Sequence, residues 1–178
     1  MTYFAEALAA VFPDSKFVHL HRHPFEFVAS GMRRGYYGAH DWDYARIEPR
    51  PCDPNCERWP SMSRLERVAW HWAAVNAEAR SFLAGLAPGR GFEMRSEDLF
   101  TGSGLGGLFD FLCAKRPSER DVRRVLRRRL NRGQGSLDFP AGGTWTQHER
   151  LAVVDQLGDV AAELGYEIDA GKPRDGRT

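Results

Sequence analysis

Between Phe12 and Tyr37 the chain reads FPDSKFVHLHRHPFEFVASGMRRGYY, and its apolar positions change period midway. Phe17, Val18 and Leu20 form a short run of strand length. Phe25, Val28, Ala29 and Met32 then recur at i, i+3, i+4 and i+7, which is one face of a helix. Pro24 sits where the first turn of a helix tolerates a missing N–H. The pattern therefore predicts a strand, a turn of a few residues and a helix. Side chains alternate along a strand, so His19 and His21 share one face of it.

The rest of the chain continues this alternation of elements. An opening helix around Tyr3 to Val11, with Phe4, Leu8 and Val11 on one side, is expected to pack beside the strand. From Gly35 to Met62 periodicity dissolves into Gly, Pro, aromatic and charged residues, which predicts a long irregular excursion. A long helix follows from about Ser63 to Leu86, its stripe made by Leu65, Val68, Ala69, Trp72, Asn76, Ala79, Leu83 and Leu86. Asn76 interrupts that face, either as a satisfied buried amide holding a neighbouring loop or as a site residue. Pro88 and Gly89 end the unit, and Gly91 to Arg95 predicts a second strand with Phe92 and Met94 on one side. Ser96 is placed to cap a short helix whose first turn carries Glu97 and Asp98.

Farther on, an apolar helix is expected over Leu105 to Ala114, and the glycine-rich GSGLGG at Gly102 to Gly107 reads as a flexible connection. In the arginine-rich helix 120–132, Val122, Val125, Leu126 and Leu130 make one face while Arg120, Arg123, Arg124, Arg127 and Arg128 occupy the rest. That helix reads either as a solvated face or as a polyanion-binding module. The last helix begins at Thr146 and Glu149, which have capping-box spacing, buries Leu151, Val154, Leu157, Ala161 and Leu164, and ends at Gly165.

Composition adds limits. With 178 residues, 42% hydrophobic and 28% charged, the chain suits one ordinary globular domain, placed at residues 1–168, with a polar, disordered tail at 169–178. A net charge of +1 gives no global reason to expect nucleic acid, and no apolar run reaches the roughly 20 residues of a membrane span. The first residues do not read as a signal peptide, so a cytoplasmic protein is expected. Cys113 is expected to be a buried, inert thiol, and Cys52 and Cys56 lack the companion ligands that zinc requires, so no metal site is predicted.

The segment from Phe12 to Tyr37 also resembles the 3′-phosphate-binding segment of the sulfotransferase family, which uses 3′-phosphoadenosine 5′-phosphosulfate as sulfuryl donor. The family pattern F-P-[DN]-[AS]-K-x-[IV]-x-[LV]-x-R-[DN]-P-x-[DE]-x-[VA]-x-S is met by Phe12, Pro13, Asp14, Ser15, Lys16, Val18, Leu20, Arg22, Pro24, Glu26, Val28 and Ser30. His23 stands where the family has Asp or Asn. By this resemblance Arg22 and Ser30 would bind the 3′-phosphate, a guanidinium offering two parallel donors and a serine a hydroxyl. WHWAAVN, MRSEDLF and the last helix look like later family segments, with Ser96 in place of a tyrosine, and Arg132 and Gly133 stand nearest to the family's basic nucleotide-binding loop.

The resemblance implies an α/β fold: a partial P-loop-like sulfotransferase fold, with a small parallel sheet flanked by helices. It also implies transfer of a sulfuryl group to a hydroxyl or amine of a small-molecule or glycan acceptor. The family's N-terminal P-loop-like segment for the 5′-phosphosulfate, and the usual base beyond it, have no counterpart in these residues. Catalytic residues therefore stay unassigned, and activity of this chain alone is not implied. The alternatives are a non-catalytic remnant or interaction protein, or the polyanion-binding module. An exposed sheet edge would invite a second copy or a partner chain. Trp42, Tyr44 and Trp59 either line an acceptor pocket or anchor their loop.

Overall fold

The computed structural model describes residues 4–38, 46–126, 139–140 and 145–168. Its elements run α1 (Ala5–Val11), β1 (Phe17–His21), α2 (Pro24–Arg33), a 3-10 turn at Trp59–Ser61, α3 (Arg64–Ala84), β2 (Gly91–Arg95), α4 (Ser96–Thr101), α5 (Leu105–Phe111), α6 (Glu119–Leu126), α7 (Gln147–Leu157) and α8 (Val160–Glu163). The chain folds as two compact units of interleaved segments, Met1–His23 with Val75–Arg132 and Pro24–Ala74 with Gly133–Thr178.

The first unit is built on a parallel pair of strands. β1 and β2 pair in register from Phe17↔Gly91 to His21↔Arg95, so Val18 lies beside Phe92 and Leu20 beside Met94 on one face, with His19 beside Glu93 on the other. α5 covers the β2 side of the apolar face, where Phe111 stacks on Phe92 at 5.1 Å between ring centroids. The opposite face meets α3, with Phe17 edge-on to Phe82 at 4.9 Å.

The F-P-D-S-K residues build the turn that launches β1. The Phe12 carbonyl accepts the Ser15 hydroxyl at 2.8 Å and the Ser15 N–H at 3.0 Å, and Arg90 Nε donates to the Ser15 carbonyl at 3.0 Å. Lys16 donates to the Phe111 carbonyl at the end of α5, a cation at the negative end of a helix. Cys113, expected to be buried, is exposed with φ of 54°, because α5 ends at Phe111 and the chain turns sharply outward. α1 buries none of its residues, and Phe4, Leu8 and Val11 are exposed, so the expected packing of that helix is not found.

The second unit holds the main core, where Phe25, Val28, Ala29 and Met32 of α2 meet Val68, Ala69 and Trp72 of α3 and Val153 and Leu157 of α7. Ser63 caps α3 reciprocally with Glu66, the Ser63 N–H donating to Oε2 at 2.7 Å. The expected capping box of Thr146 and Glu149 starts α7. The helix expected to run on to Gly165 instead breaks at Gly158, whose φ of 53° and ψ of −147° leave the helical region. Its buried side also differs, since Arg150, Val153, Gln156 and Leu157 are buried while Leu151 is exposed. Arg150 is tolerated there because its guanidinium lies over the Phe25 ring, 4.9 Å from the centroid.

Within the excursion, Trp59 packs edge-on to Tyr37 at 5.4 Å and to Trp70 at 5.0 Å, so it anchors its loop. Asp53 ties down the loop of Cys52 and Cys56, accepting from the Asn55 N–H at 2.7 Å and Trp70 Nε1 at 3.2 Å. Trp42, Tyr44, Arg127, Arg128 and the tail 169–178 lie outside the described residues.

Candidate phosphate-binding site

Paired parallel strands that end level with each other put their carboxyl ends where α/β proteins bind ligands. β1 and β2 do so at His21 and Arg95. Arg22 follows β1 directly and is exposed, whereas His21 and His23 on either side of it are buried. α4 follows β2 without a connecting loop, which brings Glu97 to the same end: its Oε1 accepts the His23 backbone N–H at 2.9 Å. Ser96, expected to be the cap of α4, is instead its first residue. Arg95 is the cap, and the buried Ser96 hydroxyl donates to Glu97 Oε2 at 3.3 Å.

Behind this end, the histidine face of β1 forms a polar layer. His19 Nε2 lies 2.8 Å from Asn76 Oδ1 and its Nδ1 lies 3.3 Å from Glu93 Oε2, while Arg80 Nε approaches the same carboxylate oxygen at 3.5 Å. Asn76 is thus the satisfied buried amide that its stripe allows, holding a strand rather than a loop. His21 lies 5.2 Å from His19 between ring centroids. Burial, aided by the nearby charge of His19, lowers its pKa from 6.5 to about 4 and keeps it neutral at ordinary pH.

Ser30 lies in the second unit, two turns into α2 and half-buried. Arg132 and Gly133 lie outside the described residues. Among the described residues no cluster of three or more His, Cys, Asp or Glu is arranged to hold a metal, and no helix is long and apolar enough to cross a membrane. Sequence reading missed the roles of Glu97 and of the His19–Asn76 pair. The signal was present: two polar interruptions, one on a strand face and one on a helix stripe, had to satisfy each other when buried.

A parallel pair of strands with helices against it, the second strand running straight into a helix, makes this an α/β protein. A family model described as the sulfotransferase family matches residues 1–101, more than half of the 178, and the chain belongs to that family. A solved structure, a sulfotransferase domain from the curacin biosynthetic pathway, is similar in fold with a TM-score of 0.58 at 21% identity. The similarity covers 95% of this chain and 60% of that one. No curated protein matches the chain.

Proposed function

We propose that this chain carries the 3′-phosphate part of a donor site for 3′-phosphoadenosine 5′-phosphosulfate, in a single sulfotransferase-like domain at 1–168 that acts in the cytoplasm. The observation that carries the reading is Arg22, exposed at the carboxyl end of β1 within a segment that meets the family pattern at twelve positions from Phe12 to Ser30. Its guanidinium would take two phosphate oxygens as a bidentate pair, with Ser30 adding a hydroxyl donor and Arg132 and Gly133 further contacts. When bound, the donor supplies the sulfuryl group for an acceptor hydroxyl or amine. The chain's own part is to hold and orient the nucleotide.

Isothermal titration with 3′-phosphoadenosine 5′-phosphate tests this. Binding by the intact protein is expected, and Arg22→Ala should weaken it about tenfold or more, as expected for loss of a charge-assisted pair. Absence of binding by the intact protein would overturn the reading.

The polyanion alternative draws less support, because Arg123 pairs with Glu119 and Arg124 with Asp121, each at 2.8 Å, so much of the basic face of α6 is locally neutralised. A second copy or partner chain along β1 draws support from Val18 and Leu20, which are 41% and 47% exposed on the sheet's apolar face.

A further inference from the structure

The turn that carries Arg22 is pinned on both sides. Before it, His21 is the last residue of the β1–β2 ladder, paired with Arg95. Beyond it, the strand partner is gone, because β2 passes directly into α4 at Ser96. The His23 N–H therefore has no ladder carbonyl to meet, and the Glu97 carboxylate supplies the acceptor at 2.9 Å. The second carboxylate oxygen receives the buried Ser96 hydroxyl at 3.3 Å, so both oxygens are engaged and the Glu97 side chain is fixed. Arg22 is thus an exposed side chain on a backbone held at each neighbour. The His23 N–H, which as a donor near a helix start would suit an anion, is already spent on Glu97.

We propose that Glu97 is a positioning residue for the donor phosphate: by holding the His23 N–H it fixes the turn that aims Arg22, and it does so through its hydrogen bond and reach rather than through its charge. This rests on the 3′-phosphate reading. Its chemistry makes a specific demand. A carboxylate so close to an anion site repels the anion, so a neutral group of the same length should do the positioning at least as well. A charged group one methylene shorter should not, because it cannot span to the His23 N–H. Around Glu97 stand the His23 imidazole and, beside His21, the charged or titratable groups Glu93, Arg95 and His19.

Three variants of the full chain, Glu97→Gln, Glu97→Asp and Glu97→Ala, separate these possibilities. With 3′-phosphoadenosine 5′-phosphate as probe, E97Q is expected to bind as tightly as the unaltered protein or tighter. E97D and E97A are expected to bind about tenfold more weakly. Amide hydrogen exchange at His23 gives a readout that needs no ligand. It should stay slow in E97Q and accelerate in E97D and E97A. If E97A does not fold, E97D decides, since an aspartate in the first turn of α4 suits the helix. Unchanged affinity in a folded E97D, or weak binding by E97Q, would overturn the positioning role. If the unaltered protein does not bind the probe, the 3′-phosphate reading fails, and exchange at His23 alone then decides whether Glu97 holds the turn.

Discussion

His71 shows how single side chains here are committed to one protonation state. The Tyr37 hydroxyl donates to the Ile47 carbonyl at 2.7 Å, and its oxygen lies 2.8 Å from His71 Nδ1. A hydroxyl has one proton, so His71 must donate to Tyr37 and carries its proton on Nδ1. Burial, with the Arg46 charge nearby, lowers the His71 pKa from 6.5 to about 4, as burial does for His21. Both folded values lie below the unfolded one, so the unfolded chain binds protons that the folded chain refuses as pH falls from 6.5 towards 4. The stabilising effect of these neutral imidazoles is complete above 6.5 and is lost across that window. Denaturant midpoints should therefore drop between those pH values, and more gently in His71→Gln. A flat profile would contradict two buried neutral imidazoles. The sequence placed His19 and His21 on one face, but it could not show that Asn76 lies opposite, because that pairing depends on how α3 crosses the strands.

At the scale of elements, glycines mark where a helix stops and where two helices come close. Gly158 adopts φ of 53° and ψ of −147°, a conformation that a side chain strongly disfavours. Gly158→Ala should lower stability by about 1–3 kcal/mol in chemical denaturation. Gly31 lies where α2 packs on α3, and a Cβ there would stand 2.7 Å from Val68 Cγ1 and 3.1 Å from the Tyr36 ring. Val68 is fully buried and cannot yield, so Gly31→Ala should cost about 1–3 kcal/mol through overpacking. Periodicity made α2, α3 and both strands legible, and cap chemistry made the start of α7 legible. It did not reveal the break at Gly158, because apolar residues continue at helical spacing through Ala161 and Leu164. Nor did it reveal the buried side of α7, where Val153 and Leu157 enter the core and Arg150 lies over a ring on another helix.

For the molecule as a whole, family membership rests on the match over residues 1–101, which includes the segment from Phe12 to Tyr37, and the fold on a similarity that covers 95% of this chain and 60% of a solved sulfotransferase domain. The structure divides that segment's motif by role. Phe12, Ser15 and Lys16 build the turn before β1 and cap α5, whereas Arg22 stands at the opposite, carboxyl end of the strand. A motif read as a string does not separate these roles, since each residue type there is polar or apolar for a different local reason. The central claim is that Arg22 reads a 3′-phosphate. It is tested most directly by comparing the affinities of 3′-phosphoadenosine 5′-phosphate and adenosine 5′-phosphate for the unaltered protein and for Arg22→Ala. The account predicts that the unaltered protein prefers the 3′-phosphorylated nucleotide by about tenfold or more, and that Arg22→Ala binds the two alike. Equal affinities in the unaltered protein, or a preference that survives Arg22→Ala, would contradict it.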